Sequence, residues 1–517
     1  MPTLRIPLVG VHNQRTIDAT VQLAADVDQE FKNVTFNLVR NPVTGKSTIY
    51  VEKRPGWGVM SLVKAGSVST GLIRSEFTGT VISAWGDTNS EIFDGTTSVG
   101  SITGKAVHFT ETVISGAGFI LIRSSNGTGW YYALDFSTVT QISDGDFVTA
   151  GTTISAFVDM DGYVFYVAAD GFVYHSDLNS ITAYTATSKI ATSMSPDIPL
   201  AIFKHHNLIG VAGTGSLEFF YNAGNTSGSV LSRAEQHFKL VGIQNQRSLT
   251  RLQDDIYFAS SSREGDVQIM RLRNVTLQRV STPEVDKMLG TSSPFSSDIH
   301  LSGFQLGGYN YISVIVFSSA VTANSFLLKA DGFKLLLQSG DRIILDADSD
   351  ASTGISLILL YNVELNTWSS WDSMVMTYVR GGGTGSLNKL ISTSRLSTSG
   401  KVYQINPSGD GALFADDGTA YDSVIRTAKL DFGTPRRKFI DEIALIGDVS
   451  TGSVTLEKSD DDYAGWQTLG TFDLTLIQPR IVGCGSYVGQ RAYRLTHSAA
   501  SSWRAQALDI KYTIGNH

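Results

Sequence analysis

The residues that most often carry chemistry are scattered through this chain of 517 residues. His205 and His206 are adjacent, and neighbouring side chains of a strand face opposite sides, so we expect that they cannot ligate one metal ion. The stretch DMDGYVFYVAAD, residues 159–170, resembles an acidic calcium loop. It lacks the carboxylate spacing and the closing glutamate, which favours a hairpin turn. Cys484 is the one cysteine, which excludes an intramolecular disulfide and a cysteine-based zinc site.

Sequence motifs of the common active sites are missing. There is no G-x-S-x-G, P-loop, H-E-x-x-H or Rossmann fingerprint, and no pair of carboxylates can be chosen for glycoside hydrolysis. The segment SDDDYAGW, residues 459–466, resembles the Asp-box turn of sialidase propellers, where that turn is structural. The sequence therefore predicts a protein that is not an enzyme, with no catalytic residue, metal site or cofactor.

One segment near the C-terminus is locally basic. Its cations are Arg426, Lys429, Arg436, Arg437 and Lys438, and Asp431 is the one acid among them. A solvated strand edge is the default interpretation. Contact with an acidic partner, or with passing DNA, is the alternative.

Turn dipeptides between alternating apolar and polar residues predict the fold class. Asn-Gly occurs at Asn126, and Asp-Gly occurs at Asp94, Asp144, Asp161, Asp170, Asp331, Asp410 and Asp417. These dipeptides accept the positive φ values of tight hairpin turns. β-Branched and aromatic residues flank several of them, as in residues 163–177. The pattern predicts an all-β protein of short antiparallel strands.

Units of roughly 35–45 residues between about residues 75 and 405 predict a β-propeller. Their cores are residues 80–95, 118–135, 154–177, 199–223, 249–273, 309–317 with 355–371, and 388–407. Ring closure between the first and last cores leaves six or seven blades. The alternative is two stacked β-sandwich domains.

The rest of the chain divides around this propeller. We expect a propeller over residues 51–423, a C-terminal β-sandwich platform domain over 424–517, and an irregular N-terminal segment, 1–50, packed on that platform. One helix is expected at residues 281–289, with Ser281 or Thr282 as its N-cap and Pro283 in its first turn.

Residues 318–354 interrupt one blade between two apparent neighbouring strands. The insertion has its own hairpin signal at Asp331 and Gly332, apolar arms and an acidic tail. One interpretation is an extra β-arm packed against the same domain. The other is a projecting arm that meets another subunit, a membrane or a channel, because exposed apolar arms carry an aggregation risk.

Charge and the ends of the chain narrow the class of function. The net charge of −8 disfavours a protein that grips nucleic acid through its overall field. The start, MPTLRIPLVG, predicts no signal peptide, and no run of about 18 apolar residues predicts a membrane span. We expect folding in a cytoplasm.

Four segments resemble one family of phage proteins. YVEKRPGW, residues 50–57, resembles the N-terminal KRPG turn of the packaged-DNA stabilisation proteins, the tail hub or nozzle of short-tailed bacteriophages (podoviruses). Residues 198–228 are similar to that family's central blade, with its G-S-x-E-F/Y-F/Y strand, and residues 248–272 continue the likeness. Residues 426–445 resemble the opening of its C-terminal domain.

The resemblance implies a virion structural protein. The family forms a ring, usually a homo-hexamer, below the portal and its head-to-tail adaptor ring, where it retains packaged DNA and conducts it during ejection. The implied partners are that adaptor ring, tail fibre or tailspike proteins, a tail needle or plug, and double-stranded DNA in transient non-specific passage. The implied location is the virion tail, assembled in the host cytoplasm. The alternatives are a propeller glycosidase and a carbohydrate-binding tail protein acting on host surface polysaccharide.

Two sets of candidate site residues follow. The candidates for docking the adaptor ring are Arg436, Arg437 and Lys438. The candidates for an arm at the tip of the channel are Phe326, Leu327, Leu328, Phe333, Leu335, Leu336, Leu337, Asp346, Asp348 and Asp350.

Overall fold

The computed structural model describes residues 3–9, 29–40, 47–135, 138–262, 265–292, 299–319, 352–372, 376–380, 390–405 and 414–515. Over these residues nearly all regular structure is β-strand, as the β-branched and turn-rich sequence predicts. Five strands precede the first complete blade: β1 (Thr3–Pro7), β2 (Glu30–Lys32), β3 (Val34–Arg40), β4 (Ser47–Lys53) and β5 (Trp57–Leu62).

Five antiparallel sheets then follow one another and form blades 1 to 5. Blade 1 comprises β6 (Ser69–Arg74), β7 (Val81–Trp85), β8 (Ser90–Asp94) and β9 (Thr97–Ile102). Blade 2 comprises β10 (Ala106–Ile114), β11 (Ala117–Ser124), β12 (Gly129–Ala133) and β13 (Thr140–Gln141). Blade 3 comprises β14 (Val158–Met160), β15 (Tyr163–Val167), β16 (Phe172–Ser176) and β17 (Tyr184–Ala191). Blade 4 comprises β18 (Pro199–His205), β19 (Leu208–Gly213), β20 (Leu217–Asn222) and β21 (Leu231–Arg233). Blade 5 comprises β22 (Gly242–Ile243), β23 (Leu249–Leu252), β24 (Asp255–Ser262), β25 (Gly265–Arg273) and β26 (Thr276–Arg279).

The last two blades depend on strands distant in sequence. Blade 6 comprises β27 (Ile299–Leu306), β28 (Tyr309–Ser319), β29 (Ser352–Asn362) and β30 (Thr367–Ser370). Blade 7 comprises β31 (Tyr378–Arg380), β32 (Ile391–Thr393) and β33 (Lys401–Ile405), and its fourth strand is β5. Val59 of β5 pairs with Tyr403 of β33, so a strand from the start of the chain completes the last blade.

A closed ring results because each blade packs on the next. Apolar clusters fill all the junctions from blade 1 round to blade 7. Leu72 and Trp85 of blade 1 then pack with Ile391 and Val402 of blade 7, which closes the circle. The described residues therefore form a seven-bladed propeller, the upper of the two predicted blade numbers.

The remaining strands, apart from one hairpin, build a two-layered platform together with β1 to β4. They are β34 (Ala415–Asp416), β35 (Thr419–Ala420), β36 (Ser423–Arg426), β37 (Lys438–Gly447), β38 (Ser453–Ser459), β39 (Gln467–Asp473), β40 (Arg480–Val482), β41 (Ser486–Tyr487), β42 (Ala492–His497) and β43 (Arg504–Ile514). One layer runs β3-β4-β43-β37-β40, with β1 paired to β43 and β41 to β37. The facing layer contains β2-β36-β42-β38-β39, and the two enclose one apolar core. This part of the fold is a β-sandwich; β34 and β35 form a separate hairpin.

One sheet continues from the propeller into the platform. β30 of blade 6 pairs in parallel with β2, and β2 pairs antiparallel with β36. The expected boundaries 1–50, 51–423 and 424–517 stay a prediction.

Most of the predicted turns that lie in the described residues have the backbone geometry that the dipeptides favour. Asp161 and Asp417 have φ values of 54° and 48°, and each is followed by a glycine with positive φ. Asp144 is an exception: it caps a short helix, α1 (Gly145–Thr149), and its side chain accepts from the backbone N–H groups of Asp146 and Phe147. The Asp-Gly signals at Asp331 and Asp410 lie outside the described residues.

Three further expectations can be compared with the fold. The helix predicted at 281–289 is confirmed as α2 (Pro283–Ser292), and Thr282 Oγ1 accepts from Val285 N at 3.3 Å. Within residues 3–9, 29–40 and 47–50, strands are found where irregular structure was expected, and β1, β2 and β4 pair with β36 and β43, partners that no local pattern reveals. The strands flanking the insertion are confirmed as β28 and β29, which pair as far as Ser319 and Ser352.

Candidate functional site

The KRPG segment lies where the platform meets the propeller. β4 of the platform ends at Lys53 and β5 of blade 7 begins at Trp57, so only three residues connect the two parts. A Cβ atom on Gly56 would lie 2.2 Å from the carbonyl oxygen of Ala415 and 2.6 Å from its nitrogen. Close backbone approach therefore requires glycine here.

Arg54 is the polar centre of this junction. Its side chain is fully buried, and its two Nη atoms donate to Asp416 at 2.6 and 3.0 Å. Nε donates to Asn33 Oδ1 at 3.1 Å, and Nη2 donates to the carbonyl oxygen of Asp372 at 3.1 Å. One guanidinium thus joins the N-terminal strands, the end of blade 6 and the β34 hairpin.

Aromatic rings cover the same guanidinium. Its carbon lies 3.7 Å from the ring centroid of Tyr421 and 5.1 Å from that of Trp371. Beside it, Lys53 Nζ donates to the carbonyl oxygens of Tyr421 and Ala499 at 2.8 and 2.7 Å. Burial, and then the charge of Arg54, lowers the pKa of Lys53 to about 8. We call Lys53, Arg54, Trp371, Asp416 and Tyr421 the junction cluster.

A second polar centre occupies the axis of the propeller. A single turn of 3-10 helix, Gln246–Ser248, connects β22 to β23, and Ser248 N donates to Asn245 Oδ1 at 2.9 Å. Gln246 Oε1 accepts from Ala156 N of the loop before β14 and from Ile202 N of blade 4, at 3.1 and 2.9 Å. We call residues 245–248 the axial connector.

Arg247 extends the axial connector towards the other side of the ring. Its Nη2 donates to the carbonyl oxygen of Val107 in blade 2 at 3.3 Å, and its Nη1 lies 3.5 Å from His300 Nε2 in blade 6. Its guanidinium carbon lies 5.4 Å from the ring centroid of Tyr378 in blade 7. The connector therefore ties blade 5 to five other parts of the ring.

Two more arginines approach the same axis. Arg123 of β11 pairs directly with His108 of β10, and its Nε donates to Thr153 O at 2.8 Å. Arg380 follows Tyr378 by two residues on β31, so both occupy the same face of the strand. Its Nη1 donates to the carbonyl oxygen of Val379 at 3.2 Å. We call Arg123, Arg247 and Arg380 the axial arginines.

The axial arginines create a positive potential at this point. Burial, and then the charges of Arg247 and Arg123, holds the pKa of His108 well below its ordinary value, so the imidazole is neutral. Burial and Arg247 lower the pKa of Arg123 to about 10, and the same two causes lower the pKa of Arg380. Arg380 is nonetheless exposed, so water reaches the axial arginines at this residue.

The candidate docking residues differ in accessibility. Arg436 and Arg437 are exposed, and Arg437 Nη1 donates to Ser486 Oγ at 3.1 Å. Lys438 is fully buried; its Nζ donates to the carbonyl oxygens of Thr434 and Gly489, and burial lowers its pKa. The interpretation of Lys438 is therefore corrected: this residue holds two loops of the platform together.

The candidates for the channel-tip arm lie outside the described residues. They are Phe326, Leu327, Leu328, Phe333, Leu335, Leu336, Leu337, Asp346, Asp348 and Asp350. Only the paired strands at either end of the insertion belong to the described part of the chain.

The histidine pair and the Asp-box-like turn have defined places. His206 has a φ of 54° in the turn after β18, so the strand argument for opposite faces was wrong, and its ring centroid lies 4.4 Å from that of His205. In the turn after β38, Asp461 Oδ1 accepts from Ser459 Oγ and from Gly465 N at 2.8 and 3.0 Å, a structural arrangement.

Neither a metal cluster nor a membrane-spanning helix occurs among the residues that the structure describes. They contain no group of three or more His, Cys, Asp or Glu side chains placed to hold a metal ion. Their helices are too short or too polar to cross a bilayer.

Comparison with known proteins relates the propeller to a phage family. Residues 87–307 match the family model described as "Bacteriophage P22 Gp10, beta-propeller", and this range extends from the middle of blade 1 into blade 6. The match supports, in general terms, a structural protein of a phage tail. No curated protein matches the chain.

The similar solved structures have low sequence identity to this chain. The computationally designed Ika8 protein is 13% identical, with 68% of this chain and 99% of that chain covered and a TM-score of 0.36. U3-55K is 10% identical (67% and 98% covered, TM-score 0.37), and the RRP9 WD40 repeats are 11% identical (68% and 98% covered, TM-score 0.37). The propeller assignment depends on the seven sheets and on the family match.

Sequence reasoning missed the axial connector and the axial arginines. Asn245 three residues before Ser248 is the spacing of a helix cap, and this is the one local signal for the connector. Of the junction cluster, the sequence indicated only the KRPG segment, through its resemblance to a known family. The partners of Lys53 and Arg54 in that cluster were not predicted.

Proposed function

We propose that this chain is a tail hub or nozzle protein of a short-tailed phage. It forms a homo-hexameric ring below the portal and its adaptor, retains packaged DNA and conducts it during ejection. The family match over residues 87–307 is the observation that carries this proposal.

Two features of the chain support a rigid structure through which DNA could pass. The propeller is closed by β5, and the platform is joined to it both by a shared sheet and by the buried Arg54–Asp416 pair. The net charge of −8 leaves little general attraction for DNA phosphates, whose contacts with Lys and Arg would slow passage. A glycosidase would need a pair of carboxylates, whereas the charged groups that act on His108 at the axis are all cationic.

The insertion belongs to this proposal as an arm at the distal mouth of the channel. Ser319 and Ser352 are paired neighbours, so removing residues 322–350 leaves two strand ends that a short turn can join.

Both the full chain and this deletion variant are expected to assemble into closed rings of six copies. Native mass spectrometry of assembled tails measures the copy number. A stable monomer in intact virions would overturn the hub proposal. Unfolding of the propeller by the deletion would show that the arm is core structure.

Docking of the adaptor ring gives a second prediction. We propose that the exposed Arg436 and Arg437 contact an acidic surface of the adaptor, while Lys438 does not. Arg436→Glu is expected to weaken co-assembly with the adaptor, with a larger effect at low salt, because exposed charges are screened as ionic strength rises. Co-sedimentation across a salt series measures this effect.

Arg251→Glu is the matched control for the docking prediction. Arg251 is also exposed, lies in blade 5, and undergoes the same change of charge. Equal losses in the two variants would indicate a general charge effect and would contradict a docking role for Arg436.

A further inference from the structure

The axial arginines lack carboxylate partners in the part of the chain that the structure describes. Their hydrogen bonds go to neutral acceptors: Val107 O for Arg247, Thr153 O for Arg123 and Val379 O for Arg380. Two arginines with fully buried side chains do have carboxylate partners: Arg54 pairs with Asp416 and Arg491 with Asp460. Clustered cations are costly unless an anion compensates them.

Arg247 has donors left for such an anion. Its hydrogen bonds use Nε and Nη2 towards Val107 O and Nη1 towards His300 Nε2. A guanidinium has five N–H groups, so two of them remain uncommitted. The planar fork of a guanidinium matches phosphate and carboxylate oxygens.

Arg247 lines a pocket. It has a cavity volume of about 180 Å³ and is bounded by blades 1, 2 and 7 around Arg247. Its titratable lining groups are Arg247, Lys105, Arg395, Tyr378 and Asp87. Asp87 is exposed, so the pocket opens to solvent on its side.

Hydroxyl groups complete the lining. Ser69, Thr70 and Ser125 all border the pocket. Ser125 Oγ accepts from the backbone N–H of Lys105 at 2.9 Å, which leaves its own proton to donate. Several donors around a small volume suit a tetrahedral oxyanion with several acceptor oxygens better than a planar one.

We propose that this axial pocket binds a small phosphate-class oxyanion, with Arg247 as its principal ligand and Lys105 and Ser125 as further donors. The bound anion compensates the charge of Arg247, the axial arginine that lines the pocket, and so holds the axial connector against blades 1, 2 and 7. The proposal is independent of the hub function, because it concerns the inside of one chain.

The test compares anions at constant ionic strength on the full-length protein. Inorganic phosphate is expected to raise the midpoint of thermal unfolding in a saturable way, because a ligand that binds only the native state stabilises it. Glucuronate, a sugar carboxylate, is the second anion tested and is expected to raise the midpoint of thermal unfolding by less. A saturable shift with glucuronate and none with phosphate would replace the phosphate assignment by an acidic sugar.

Two variants make the test specific. Arg247→Met keeps the length of the side chain and is expected to weaken phosphate binding about tenfold or more, since bonds to charged groups are the strong ones. Arg251→Met, four residues along and exposed, is expected to bind phosphate like the parent. Equal phosphate responses in the two variants overturn the proposal.

A direct measurement covers the case in which Arg247→Met does not fold. The phosphorus-31 resonance of inorganic phosphate is expected to broaden on titration with the parent protein, and less so with Lys105→Met or Ser125→Ala. Absence of broadening with the parent protein overturns the proposal.

Discussion

Replacing Arg54 by alanine is expected to lower the free energy of unfolding by about 3–5 kcal/mol, because Asp416 would stay half-buried without its partner. The lost bonds to Asn33 and Asp372 act in the same direction. Chemical and thermal denaturation of the purified chain measure the change. Limited proteolysis is expected to cut first near residues 54–57, where platform and propeller separate.

Two further variants identify the cause of that loss. Lys32 forms an exposed ion pair with Asp372 at 3.0 Å, and Lys32→Ala is expected to cost less than about 1 kcal/mol. The double variant Arg54→Ala with Asp416→Ala is expected to lose less than the sum of the single changes, because no charge is then left buried alone. Additive losses would mean that Arg54 acts through packing with Tyr421 and Trp371 and not through the ion pair.

Replacing Trp57 by alanine is expected to cost about 3–5 kcal/mol, the usual range for a buried large aromatic residue. Trp57 is fully buried and packs in the apolar cluster between blades 6 and 7. It is the first residue of β5, the strand that closes the ring. Loss of this contact is expected to free β5, and amide hydrogen exchange at β33 is expected to rise with it.

Val59 provides the matched control on the same strand. Its side chain is 48% exposed, so Val59→Ala is expected to change stability by no more than about 0.5 kcal/mol. If the two changes destabilise the chain equally, closure depends on the backbone pairing of β5 and not on the indole of Trp57.

The propeller could be predicted because its signals are local. Blades 1 to 4 are runs of hairpins, and Asp-Gly at Asp94, Asp161 and Asp170 marks turns between strands that are neighbours in sequence. The prediction of a hairpin turn at Asp144 was wrong, because an aspartate side chain can cap a helix as well as start a turn.

The functional candidates depend on contacts that no local pattern contains. Arg123, Arg247 and Arg380 lie on blades 2, 5 and 7, and only the closed ring brings them to one axis. Lys438 looked equivalent to Arg436 in sequence. Lys438 is the first residue of β37 and points inward, whereas Arg436 and Arg437 precede the strand and stay exposed.

The pairing of β5 with β33 also sets an order of events during synthesis. Leu62 leaves the ribosome long before Lys401, its partner in blade 7. At ~5–20 residues per second that interval is on the order of 20–70 s. The interval between the synthesis of β1 and that of its partner β43 is longer still. Blades 1 to 5 can form from neighbouring strands in the meantime, whereas β5 keeps an unpaired edge until β33 has been made, and β1 and β4 until β43 has been made. The newborn N-terminal segment is therefore the part of this chain that most needs a chaperone.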